Sequence, residues 1–131
     1  MANLAAQGIN TICYNFMPLL DWTRTDLAAP VVRGGTCLRF DAIRMAAFEI
    51  RMLGREQARD DYSPEVCAKA AIWFQKAAEE DKDALLSAIM AGLPGAFDRY
   101  DIAGLREALT QYDGIDRATL RANYERFLQE V

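Results

Sequence analysis

No histidine occurs in the 131 residues, and imidazole is both the commonest metal ligand and the usual proton shuttle near neutral pH. A metal-dependent catalyst complete within these residues would be unusual on that ground alone. Cysteine is scarce: Cys13, Cys37 and Cys67 are odd in number, widely spaced and form no C-x-x-C pair. That pattern argues against a disulfide framework, a zinc ribbon or a dithiol redox motif, and reduced thiols are expected. Basic residues are not in excess. Fifteen Lys and Arg against nineteen Asp and Glu give a net charge of -4 and a pI near 4.8, which argues against a sequence-independent grip on nucleic acid. No apolar run approaches the roughly 20 residues that span a bilayer, and the N-terminus lacks the basic-then-apolar order of a secretory signal. The expectation is a cytoplasmic protein with no membrane segment. What is present is an ordinary globular balance, 52% hydrophobic and 26% charged, enough for one domain with a sizeable core.

The stretch with the densest chemistry is Cys13-Tyr14-Asn15-Phe16-Met17-Pro18-Leu19-Leu20-Asp21-Trp22-Thr23-Arg24-Thr25-Asp26. Thr11 to Phe16 is β-prone and Pro18 withholds a backbone donor, so a short strand should end there and hand over to an extended loop. Upstream, Asn3 to Gly8 is too short for an independently stable helix, and Gly8 suits a left-handed stop. Downstream, Val31-Val32 and Thr36 to Phe40 flank Gly34-Gly35 and predict a β-hairpin over 30–40. The Gly-Gly pair lacks the following Lys of a phosphate loop.

Helices are predicted from there on. Asp41 caps Ala42 to Leu53, and Gly54 ends it. Arg55 to Tyr62 is charged and without pattern, an exposed linker. Ser63-Pro64-Glu65 opens a helix reaching about Ala78, with Trp73 and Phe74 as core anchors. The acids of Glu79 to Asp83 read as the solvated first turn of the next helix rather than as a metal site. Gly92-Leu93-Pro94-Gly95 stops that helix, and Asp101 and Asp116 cap two more. The last should turn Leu120, Tyr124, Phe127 and Leu128 inward.

The run from Tyr14 to Leu27 resembles the central signature of the mannonate dehydratase family, the sugar-acid lyases of hexuronate breakdown. The likeness continues in family order through Leu38-Arg39-Phe40-Asp41, Ala46-Ala47-Phe48-Glu49, Ala91-Gly92-Leu93-Pro94-Gly95-Ala96 and Leu120-Arg121-Ala122-Asn123-Tyr124. It implies a mainly α piece with a short strand and a β-hairpin, cut from a (β/α)8 TIM barrel of xylose isomerase-like type and carrying a helical insertion. The corresponding divisions are 1–29 for the barrel strand and active-site loop, 30–40 for the hairpin and 41–131 for an insertion of about five helices. The resemblance further implies a divalent metal, iron or manganese, held in a longer parent by His, Cys and Asp side chains beyond this chain. It implies a homo-oligomeric parent acting on D-mannonate.

In such a barrel Asn15 falls on the strand face toward the lumen and Tyr14 on the opposite face. Arg24 carries a planar fork that fits a carboxylate, Asp21 can accept from a sugar hydroxyl or orient Arg24, and Trp22 offers a flat apolar wall. Asn15, Asp21, Trp22 and Arg24 are therefore the expected substrate-binding set, with no metal ligand and no assigned catalytic acid or base. The plainer alternative for the loop is an Asp21–Arg24 ion pair beside a buried Trp22. A rival from another class is a stand-alone helical interaction module without catalysis, whose strand pairs with a partner's edge.

Overall fold

The computed structural model describes residues 2–13, 16–20, 22–91 and 101–130. Its backbone falls into two compact units, Met1–Pro18 together with Leu109–Val131, and Leu19–Ala108. The described residues are mainly helical with one two-stranded antiparallel sheet among them. Among the described residues no helix is long and apolar enough to cross a membrane.

In the first unit, α1 (Ala2–Ala5) closes on a Schellman pair. The Ile9 amide donates to the Leu4 carbonyl at 3.1 Å and the Gly8 amide to that of Ala5 at 3.0 Å, with Gly8 at φ +77. The left-handed stop is made by the residue expected to make it. The predicted strand is a correction: Thr11, Ile12, Cys13 and Phe16 are in no strand, and Tyr14 and Asn15 lie outside the described residues. A lone β-prone run leaves its backbone groups without a ladder, and the sheet that does form is made by other residues.

The unit's other helix, α6 (Arg117–Glu130), is capped by Asp116, whose Oδ1 accepts from the Thr119 amide at 2.7 Å. That backbone bond holds the carboxyl of Asp116 below its ordinary value. The cap's contribution is full above the unfolded-state pKa and is lost as pH falls through the folded one. None of the α6 side chains is buried; Phe127 is 53% and Leu128 41% exposed, against the inward placement expected of them. Phe16 stacks on Tyr124 with ring centroids 4.3 Å apart, and the Tyr112 hydroxyl donates to the Pro18 carbonyl.

The second unit holds every buried hydrophobic residue among those described. Its hairpin pairs β1 (Asp26–Pro30) with β2 (Thr36–Arg39). The first arm thus lies upstream of Val31-Val32, which sit in the turn, Val32 wholly exposed. Asp26 faces Arg39 and Ala29 faces Cys37, so two β1 residues oppose Leu38 alone, a bulge. The Asp26 side chain accepts from the Ala28 amide at 2.9 Å and satisfies a donor at the irregularity. Gly34 and Gly35, both at φ +84, make the turn that β-branched residues could not.

Asp41 then caps α2 (Ala42–Ala47), its Oδ1 accepting from the Ile43 and Arg44 amides at 2.8 and 3.3 Å. Asp41→Ala should cost about 1 kcal/mol, read as a lower urea midpoint at unchanged m-value. From Phe48 to Leu53 the helix continues in π register and ends at Gly54, φ +67. Arg106 reaches back to its end, donating to the carbonyls of Leu53 at 2.7 Å and Met52 at 3.0 Å.

The expected linker 55–62 is built rather than loose. It contains a 3-10 turn, Ala58–Asp61, with Ala58 buried, and Arg55 bridges Glu49 and Asp61. Ser63 caps α3 (Pro64–Lys76) through the Val66 amide. Ala46, Ala47 and Ala70 let α2 and α3 approach closely, with Ile43, Ile50, Val66, Trp73 and Phe74 packed around them. The acid cluster opens α4 (Glu79–Met90), as expected, with Asp81 accepting from the Ala78 amide. Leu105 and Ala108 of α5 (Ile102–Leu109) are buried. The expected stop at Gly92-Leu93-Pro94-Gly95 lies outside the described residues.

Candidate functional site

The segment Trp22 to Asp26 is fastened on both sides. Thr25, 2% exposed, donates its hydroxyl to the Arg39 carbonyl at 3.2 Å and accepts from the Asp41 amide at 2.8 Å. Its own amide donates to the Arg39 carbonyl at 2.9 Å. One threonine therefore ties the loop to the end of β2 and to the cap of α2. Arg24, 9% exposed, directs Nη1 to the Ala91 carbonyl at 2.7 Å, just past the end of α4. A charge-assisted bond of this kind, made from a largely buried stem, fixes the loop against the residue that closes α4, 67 positions further on.

Of the four residues expected to bind substrate, Asn15 and Asp21 lie outside the described residues. Trp22 is 61% exposed, so the alternative in which its indole is buried does not describe this loop. Arg24 is oriented by the backbone of Ala91. Trp22 and Arg24 stay adjacent on one restrained segment, with the indole outward and the guanidinium inward.

Sequence reasoning did not single out the cleft beside that segment. It encloses about 480 Å³ and is lined by Thr25, Asp26, Arg44, Trp73, Asp81 and Ser87 among others. The Arg44 guanidinium lies 5.9 Å from the centroid of the Trp73 ring, a cation–π pair joining α2 to α3. Cleft residues of this kind, a fork of donors, hydroxyls and two carboxylates, suit a polyhydroxylated ligand. No local signal could have exposed it, because Arg44 and Trp73 meet only through the packing of α2 on α3.

The metal implied by the resemblance can be tested against the donors present. Among the described residues no three His, Cys, Asp or Glu side chains converge where they could hold a cation, and the chain has no imidazole to offer. The described residues do not fit a divalent metal.

Comparison with known proteins bears on the whole chain. The family model for D-mannonate dehydratase (UxuA) matches residues 1–131. A mannonate dehydratase of Marinomonas sp. (strain MWYL1) is 48% identical over all 131 residues, which cover 34% of that protein. Those of Chromohalobacter salexigens and Rhizobium meliloti are each 46% identical over the same 131 residues, covering 34% and 33% of their lengths. The chain spans about a third of the length of the curated relatives it matches. An unbroken likeness from the first residue to the last leaves no portion to be explained as an unrelated interaction module, and the chain belongs to the D-mannonate dehydratase (UxuA) family.

Proposed function

We propose that this chain supplies the substrate-positioning part of a hydro-lyase that removes water from D-mannonate to give 2-dehydro-3-deoxy-D-gluconate in glucuronate catabolism. The observation that carries the reading is the match over all 131 residues to mannonate dehydratases. The whole enzyme on this reading is a cytoplasmic, homo-oligomeric (β/α)8 barrel with iron or manganese bound outside this chain.

Removing the proton beside the substrate carboxylate builds enediolate charge, and expelling the neighbouring hydroxyl calls for a proton donor. The part given to this chain is orientation. Trp22 lays its exposed ring against the sugar carbons, and Asn15 and Asp21 take hydroxyls. Arg24, bonded through Nη1 to the Ala91 carbonyl, is assigned the substrate carboxylate through the remaining donors of its fork. Restraint of this kind supports the role, because a pre-oriented fork loses little freedom on binding. No residue of the chain is assigned as the catalytic acid or base.

The test is a chimera in which residues 1–131 replace the matching third of the Marinomonas enzyme. It should dehydrate D-mannonate, and Arg24→Lys within it should lower kcat/KM by about tenfold or more, since an ammonium cannot reproduce the fork. A soluble, folded chimera without turnover would overturn the functional reading, and an unchanged kcat/KM for Arg24→Lys would remove the clamp. The 131-residue chain alone, with added manganese, should show no dehydration.

A further inference from the structure

A second cleft, of about 420 Å³, lies between the π-helical segment and α3. Its floor is apolar, from Ile50, Pro64, Ala68 and Ala71, and Tyr62 and Cys67 line it too, the Cys67 thiol donating to the Arg59 carbonyl at 3.8 Å. Arg51 and Arg59, both exposed, line the same space. It shares no lining residue with the cleft beside the Trp22–Asp26 segment.

Two of the acids near those arginines are engaged elsewhere. Glu49 and Asp61 both bond Arg55, and Glu49 also accepts from Tyr62. Asp60, next to Arg59 in the 3-10 turn, does not line the cleft. Among the described residues no carboxylate lies within ion-pairing distance of Arg51 or Arg59. In a protein of net charge -4, two exposed arginines without an ion-pair partner among the described residues, lining one apolar-floored space, are an arrangement complementary to an anion.

We propose that this cleft binds a small organic anion, its carboxylate or phosphate held by Arg51 and Arg59 and its apolar portion lying on Ile50, Ala68 and Ala71. The site is separate from the one proposed for the sugar acid and does not depend on it. Arginine forks supply the directional donors, and the alanine floor favours a ligand with a short hydrocarbon part over a bare inorganic ion.

Cys67 reports on the site directly. In a Cys13→Ser, Cys37→Ser background, the single thiol is alkylated by iodoacetate, an anion, and by iodoacetamide, its neutral analogue. The guanidinium pair should raise the iodoacetate-to-iodoacetamide rate ratio, and Arg51→Gln with Arg59→Gln should lower it by about threefold or more at low salt. Arg33→Gln, an exposed cation of the hairpin turn, should leave it unchanged and so controls for net charge. Butyrate and inorganic phosphate are the probes of the ligand class. Both should slow iodoacetamide in the parent, and neither should in the double variant. Stronger protection by butyrate assigns a carboxylate with a hydrocarbon tail, and stronger protection by phosphate assigns a phosphate ester. A rate ratio that ignores Arg51 and Arg59, or that falls equally with Arg33→Gln, would overturn the proposal. So would equal protection in the parent and the double variant.

Discussion

Phe48→Ala is expected to lower the free energy of unfolding by about 4 kcal/mol. Phe48 is 1% exposed and is one of the two largest fully buried side chains among the described residues. It stands where α2 passes into π register, and its amide bonds back into the last turn of α2. A benzyl group removed there leaves a void that neighbours fixed by two different helical registers cannot easily fill. Domains of this size have net stabilities of about 5–15 kcal/mol, so the substitution should take away about a quarter or more of the whole. Urea unfolding followed by circular dichroism measures it, with Phe127→Ala as comparator. Phe127 is 53% exposed, and its removal should stay within about 0.5 kcal/mol. A loss below about 1 kcal/mol for Phe48→Ala would mean that the core is not organised around this ring.

Local signals carried most of what the sequence revealed. Gly8, Asp41, Gly54, Ser63-Pro64 and Asp116 act where they stand because caps and left-handed stops depend on one or two neighbouring residues. What failed depended on partners remote in the chain. The first arm of the hairpin was expected at Val31-Val32, the more β-prone pair. Yet Thr25 bonds to Arg39 and Asp41, and Ala29 is fully buried, and these contacts set the register on Asp26–Pro30 instead. The π register of Phe48–Leu53 has the same apolar spacing as an α-helix and is closed by Arg106, which lies 53 residues from Leu53. Trp22 and Arg24 were legible as a chemical pair. Their opposite dispositions, one exposed and one tied to Ala91, were not, because Ala91 is 67 residues from Arg24.

Arg55 to Tyr62 shows the same limit from the side of charge, and it sets up the second large effect. Glu49→Ala should destabilise the fold by about 3 kcal/mol. Its carboxylate, 17% exposed, accepts from Arg55 Nε at 3.2 Å, from Arg55 Nη2 at 3.1 Å and from the Tyr62 hydroxyl at 2.5 Å. Burial works against the charge on Arg55, yet its bonds to Glu49 and Asp61 outweigh that and raise its pKa. Burial first, and the Glu49 bond second, push the Tyr62 phenol well above its ordinary value. Deleting Glu49 strands a partly buried cation and a phenolic donor at once, whereas Tyr62→Phe removes only a donor and should cost about 1 kcal/mol. Glu49→Gln, which keeps an acceptor for Tyr62 but not the charge, should fall between them. The pH dependence follows from the direction of the Tyr62 shift. A raised folded pKa gives stability that is complete below the unfolded value of about 10 and is lost as pH rises through the folded one. The gap between the parent and Tyr62→Phe should therefore be constant from neutral pH to about pH 9 and narrow in stronger alkali. A Glu49→Ala variant no less stable than Tyr62→Phe would show that the loop is held by the burial of Ala58 and not by these charges.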